Sequence, residues 1–355
     1  MDNPSANGKV RARNRVALLI AAAAATTFLS VAAPGDPLTS DLPRMGAFQA
    51  NRPYAKSAAT LSAQREAGME AWERMLNRPK DSLIAEDFYG DGSNTWAGMT
   101  APLNGLGKPG EWSAANPQRK LLWSIPLTMP GASLTEVAEG KHDAEFRAAA
   151  GVIAASQPDA IIRIGWEMNG SWMAWYAGAG AEQSYIDAYR RVASIFRAAS
   201  SRFSFDWCVS FGRQNSDAEA AYPGDDVVDT IGMDVYDFIL TTSPIADANT
   251  RWNRSILDGD GRGLTWLTSF AAARKKKMSI GEWGVGLTDD PKSPIYGRLK
   301  DNPTFVRRMR SWLVANAPNV AFQIYFDAPP NRIDDGTFPS ALAELKKDFA
   351  ASAPP

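Results

Sequence analysis

Short apolar runs alternate with helical patterns along most of the chain, and that order limits the folds open to it. Eight runs read as strands: residues 45–48, 83–88, 121–126, 160–165, 205–209, 228–234, 278–281 and 320–325. Between them lie stretches with helical periodicity, among them 61–75, 143–156, 182–199, 264–275, 304–315 and 340–349. In Tyr185–Phe196 apolar residues recur at three- and four-residue spacing, as a helix with one buried face requires. Strands separated by helices pair in parallel, because a crossover returns the chain to the same end of the sheet. Eight such units predict an α/β fold, a (β/α)8 TIM barrel in a single domain. A doubly wound open sheet is the competing topology, but the Gly-rich phosphate-binding fingerprint expected after its first strand is missing.

The N-terminus has export character. Arg11, Arg13 and Arg15 precede an apolar run from Val16 to Ala33, and Val31-Ala32-Ala33 offers small residues for cleavage. Residues 1–33 are expected to be a signal peptide or, uncleaved, a membrane anchor, with the barrel over 34–355. The break at Pro34-Gly35-Asp36-Pro37 favours cleavage, so the protein is expected to be exported, secreted or periplasmic. No later apolar run is long enough to span a bilayer.

Composition narrows the chemistry. Net charge is −1, which gives no electrostatic reason to expect nucleic acid or an anionic membrane as partner. With one cysteine, Cys208, no intramolecular disulfide can form. With one histidine, His142, most zinc sites and any triad built on another histidine are excluded. His142 itself reads as a surface residue near a helix start. Asp258-Gly259-Asp260-Gly261 reads as a short turn, because no twelve-residue calcium pattern follows it. Catalysis must therefore run on carboxylates, and no cofactor or metal is expected.

In a TIM barrel the functional residues sit at the C-terminal ends of the strands. The fourth predicted strand leads into Gly165-Trp166-Glu167-Met168-Asn169-Gly170, and the seventh into Gly281-Glu282-Trp283-Gly284. Two glutamates facing each other across a barrel mouth suit glycoside hydrolysis with retention. One carboxylic acid protonates the departing oxygen, and the other attacks the anomeric carbon from the opposite face. The two roles need different environments, one keeping the proton on and the other keeping it off.

The segment Arg163–Tyr176, with its Arg before a Glu-Met-Asn-Gly core and trailing aromatics, resembles the acid/base segment of glycoside hydrolase family 26. Ile280–Gly284 looks like the family's nucleophile strand, and Tyr222–Tyr236 resembles its sixth-strand segment. The three segments fall in the family's order. The resemblance implies a clan A barrel and a retaining β-glycanase, often an endo-β-1,4-mannanase. It assigns Glu167 as acid/base, Glu282 as nucleophile and Tyr236 as the nucleophile's hydrogen-bonding neighbour. Arg163 would lie inside the barrel mouth, where its fork can orient a carboxylate. Mannanases of the family usually carry His where Trp166 stands, so other β-glycans or a bacterial exopolysaccharide stay open beside β-1,4-mannan.

Twelve Trp are many for this length, and flat rings stack on sugar faces. Trp166, Trp172, Trp175, Tyr176 and Trp283 cluster beside the two glutamates, and Trp172 and Trp175 are the foremost candidates for sugar platforms. Arg163, Asn169 and Tyr236 complete the expected substrate-binding set. Asp87, Tyr89 and Trp96 after the second strand, and Phe211, Arg213 and Gln214 after the fifth, are further candidates. The expected partner is a polysaccharide or oligosaccharide, and the expected state a monomer. A non-catalytic carbohydrate-binding protein on the same barrel is the alternative.

Overall fold

A computed structural model describes residues 42–49, 58–78, 84–88, 94–100, 119–178, 180–212, 214, 216–237, 247–286 and 301–350. The expected export segment lies outside them, as do Tyr89, Arg213 and the side chain of Asp87. Among the described residues no helix is long and apolar enough to cross a membrane.

Eight strands close into one barrel, each parallel to the next: β1 (Arg44–Gln49), β2 (Ile84–Phe88), β3 (Lys120–Ile125), β4 (Ile161–Ile164), β5 (Ser204–Ser210), β6 (Thr230–Tyr236), β7 (Lys277–Gly284) and β8 (Val320–Asp327). Each coincides with a predicted run to within three residues at either end. Helices Ala58–Met75, Asp143–Ser156, Glu182–Ala199, Leu264–Ala273, Pro303–Ala315 and Pro339–Phe349 follow the predicted periodic stretches. Trp96–Thr100, Leu134–Ala138 and Ala248–Arg251, the last running into a π-helical turn at Trp252–Asp258, are too short to show a period. The chain does announce Leu134–Ala138 in another way, since Ser133 and Glu136 form a reciprocal capping box. Among the described residues of 211–229, which join β5 to β6, there is no helix.

The strands face two cores. Their outer faces pack under the helices in the main cluster, where Glu182–Ala199 buries Tyr185, Tyr189, Val192 and Phe196. Burying an apolar side chain such as Val192 or Phe196 contributes about 1.5–3 kcal/mol. A second cluster contains no helix residue: Phe48, Leu122, Ile161, Phe322, Ile324 and Ala328 pack together inside the barrel on β1, β3, β4 and the end of β8. Beside it, the described interior of β3 to β7 carries polar groups. Ser124, Arg163, Asp206, Asp234 and Ser279 are all fully buried on β3 to β7.

On β7 the alternation is broken. Gly232 and Asp234 on β6, two residues apart, pair with Ser279 and Glu282, three apart. Against β8 the same extra residue falls between Ile280 and Trp283. This bulge lets Ser279 and Glu282 share the barrel interior, which strict alternation would forbid.

Candidate active site

The turn after β4 sets the first glutamate. Gly165 has φ +51°, and a Cβ there would come within 3.0 Å of Leu127. Glu167 is also left-handed, at φ +51°, a conformation that costs a non-glycine residue about 1 kcal/mol or more. The surrounding bonds hold it there. Glu167 N donates to the Cys208 carbonyl at 2.9 Å, and Gly170 N donates to the Glu167 carbonyl at 2.8 Å. Asn169 donates to Ser210 O (2.8 Å) and accepts from Ser210 N (2.9 Å), which ties the turn to the end of β5.

The Glu167 carboxyl is pushed up to about 7, first by burial and then by the charge of Glu282. Hydrogen bonds from Trp172 and Ser210 and the charge of Arg163 pull the other way. The Trp172 contact runs from indole Nε1 to Oε2 at 2.9 Å.

Glu282 sits 6% exposed at the C-terminal end of β7 with both oxygens engaged. Arg163 Nη2 donates to Oε1 at 2.6 Å, and the Tyr236 hydroxyl donates to Oε2. Burial, with the Glu282 charge second, drives the Tyr236 phenol well above its ordinary range, so it remains a donor. Arg163 also donates through Nε to Ser124 (2.8 Å) and through Nη1 to Asp234 (3.1 Å). The Asp234 carboxyl is held well above the usual range, first by burial and then by the Glu282 charge, and the Cys208 thiol lies 3.0 Å from its Oδ1. Deeper in the barrel, Asp206 accepts from the Ser279 and Thr230 hydroxyls, and burial raises it too.

The expected residues divide into two groups. Arg163, Glu167, Trp172, Tyr236 and Glu282 come together in one connected set. Trp166, Trp175 and Trp283 are buried instead of open to a ligand, and Tyr176 is half-buried. Trp283 is fully buried with its ring against Phe305, Tyr325 and Phe349, and its indole donates to Gln323. The bulge that turns Glu282 inward turns Trp283 outward. Trp175, expected as a platform, is 6% exposed, packs 4.6 Å from Trp166 and donates to the Trp166 carbonyl at 2.6 Å. Trp166 is buried as well, with the Arg163 guanidinium 5.5 Å from its ring. Asn169 braces the turn with its amide. Trp172, at 55% exposure, is the one large apolar side chain left exposed among the described residues.

Of the weaker candidates, Trp96 stacks flat on His142 at 3.7 Å, and Phe211 is core. Gln214 donates to the Phe211 carbonyl. Asp234, Ser210, Ser124 and Cys208 were missed by sequence. Counting back in twos from Tyr236 along β6 reaches Asp234, so its side of the strand was legible. The other three were not marked by any motif. Among the described residues no cluster of His, Cys, Asp or Glu could hold a metal ion.

A closed parallel barrel with two carboxyl groups in contrasting environments at its C-terminal mouth can offer an acid and a nucleophile to one bond. Residues 153–258 match the family described as Glycosyl hydrolase family 26, and the chain is related to that family. It is 26% identical over 168 residues to a Mannan endo-1,4-beta-mannosidase of Bifidobacterium adolescentis, an alignment covering 46% of this chain and 16% of that protein. Its fold is similar to the catalytic domain of an endo-β-1,4-mannanase of family 26 from Bacillus sp. JAMB-750. That likeness has a TM-score of 0.55 and 17% identity, covering 88% of each chain. A Cellulomonas fimi endo-β-1,4-mannanase double mutant is also similar, with TM-score 0.58 and 17% identity, over 88% of this chain and 72% of that one.

Proposed function

We propose that the protein is an exported retaining β-glycanase that hydrolyses a β-linked polysaccharide by double displacement, with β-1,4-mannan the first substrate to test. The observation that carries this reading is the contrast between its two glutamates. Glu167, held near 7, keeps a proton to give at neutral pH. Glu282 receives two donors, Arg163 and Tyr236, which solvate its charge in place of water.

In the first step Glu282 attacks the anomeric carbon while Glu167 passes its proton to the departing glycosidic oxygen. The C–O bond breaks and a glycosyl ester forms on Glu282. In the second step Glu167, now a carboxylate, takes a proton from water, whose oxygen attacks the same carbon and frees Glu282. A group that titrates near 7 can serve both steps. The names of the similar proteins support mannan as the substrate.

The test is a reducing-sugar assay on β-mannan, galactomannan, mixed-linkage glucan, xylan, cellulose and a bacterial exopolysaccharide. Cleavage of one polymer, lost in both Glu167→Ala and Glu282→Ala, supports the reading. Folded protein that cleaves none of them refutes β-glycanase action on these polymers.

A further inference from the structure

Trp172 stands apart from the other aromatics. Its ring is exposed, yet its indole nitrogen is committed to Oε2 of Glu167. The ring lies across Gly170 so closely that a Cβ at that glycine would fall 2.3 Å from it. A side chain that is both open to a ligand and bonded to a titrating carboxyl can report the arrival of one at the other. Resting on the glycoside-hydrolase reading of the site, we propose that Trp172 is a positioning residue coupling substrate arrival to proton loading of Glu167. In the empty site its indole N–H holds Glu167 toward the carboxylate form, and a sugar ring that takes the indole face draws the N–H away.

The physical argument is directional. An N–H donor favours the charged form of a carboxylate, and losing it favours the protonated form. The remaining neighbours of Glu167 are Glu282 across the mouth, Arg163 from β4, Asp234 and Tyr236 from β6, and the Ser210 hydroxyl from β5. Glu282 raises Glu167, whereas Arg163 and Ser210 lower it, as Trp172 does. Of these, Trp172 alone is solvent-exposed, so it is the contact that an incoming ligand meets first. The proton can then go on when substrate is present and there is an oxygen to receive it.

Two variants test the coupling. Trp172→Phe keeps a ring and removes the N–H. Gly170→Ala keeps the N–H and pushes the ring off its seat. In the free protein, the Trp172 indole N–H resonance, assigned by its loss in Trp172→Phe, is followed from pH 4 to 9. It should titrate near 7, and the step should vanish in Glu167→Gln. A flat signal overturns the proposal whether or not any polymer is cleaved. With a hydrolysed polymer, both variants should move the basic limb of kcat/KM upward by about one pH unit, roughly tenfold in rate on the alkaline side. The basic limb of kcat should stay in place, because in the complex the N–H has already left. Limbs that move together, or a KM change with neither limb moving, would show that Trp172 is a fixed donor or a platform only. Failure of every polymer, with the indole still titrating, would count against the hydrolase reading and overturn the coupling to a sugar, leaving only the Trp172–Glu167 hydrogen bond.

Discussion

Arg163 holds two carboxyl groups with one guanidinium: Nη2 lies 2.6 Å from Glu282 Oε1, and Nη1 lies 3.1 Å from Asp234 Oδ1. All three side chains are buried. A planar fork can span both partners, and an ammonium cannot reproduce that geometry. Arg163→Lys is therefore expected to leave one of the two acids without its donor. Stability in urea should fall by about 3 kcal/mol, the low end of the range for breaking a buried pair, because one acid keeps its cation. With a cleaved polymer, kcat should drop by about 10² as Glu282 loses its alignment. A Lys variant with unchanged kcat would mean that Arg163 does no more than balance charge.

Tyr236 acts on the other oxygen of the same glutamate. Removing its hydroxyl in Tyr236→Phe removes one charge-assisted hydrogen bond, about 1.5–3 kcal/mol. The expected loss in kcat/KM is about 10- to 100-fold. Because the phenol is driven well above its ordinary range, the defect should be the same from pH 5 to 9. A defect that shrinks at high pH would mean that the phenol titrates in this window.

Glu167 makes stability depend on pH in an unusual direction for a carboxylate. Its native carboxyl keeps a proton up to about 7, against 4.5 for the unperturbed group. Between those values the folded protein binds more protons than the unfolded chain. Stability contributed by this group therefore falls as pH rises through the window and stays lower above it. Glu167→Gln is neutral throughout, so its stability relative to the parent should grow across that window, reaching about 2 kcal/mol at pH 8 once partial exposure is discounted. Asp327, pushed up to about 6 mainly by burial, titrates in both proteins and cancels in the difference. Thermal or urea unfolding at pH 4 and pH 8 measures it, and a constant gap would show that burial does not raise Glu167.

The sequence reads well where the physics is periodic and poorly where it is an exception to period. All eight strands were visible as apolar runs, and Glu167 and Glu282 were visible because glycines and apolar runs bracket them. Trp283 was misplaced because a bulge is one residue long and leaves no mark in composition. Alternation from Ser279 through Gly281 would send Glu282 outward and bring Trp283 in, and the observed register does the reverse. Trp175 was misplaced for another reason. A Trp beside an active-site turn suits a platform and a core wedge equally, and only its partners, here Trp166 and its carbonyl, decide. The lack of a helix among the described residues between β5 and β6 had no signal, since Gly and Pro in Tyr222–Asp225 fit a loop of any topology.

Trp283 and Trp172 should therefore fail in opposite ways. Trp283 is fully buried among Phe305, Tyr325 and Phe349. Trp283→Ala leaves a large void and an unpartnered Gln323 oxygen, and should cost about 3–5 kcal/mol of stability. Since the ring is buried and packs on Phe305, Tyr325 and Phe349, KM at low temperature should change little for whatever fraction remains folded. Trp172 is exposed and closes no core, so Trp172→Ala should alter stability by no more than about 0.5 kcal/mol. Its cost should fall on kcat/KM, through the lost sugar contact and the lost N–H on Glu167. Denaturation curves and steady-state kinetics on the same two variants separate these outcomes. Equal destabilisation by both would mean that the Trp172 ring is seated in packing that its exposure does not reveal.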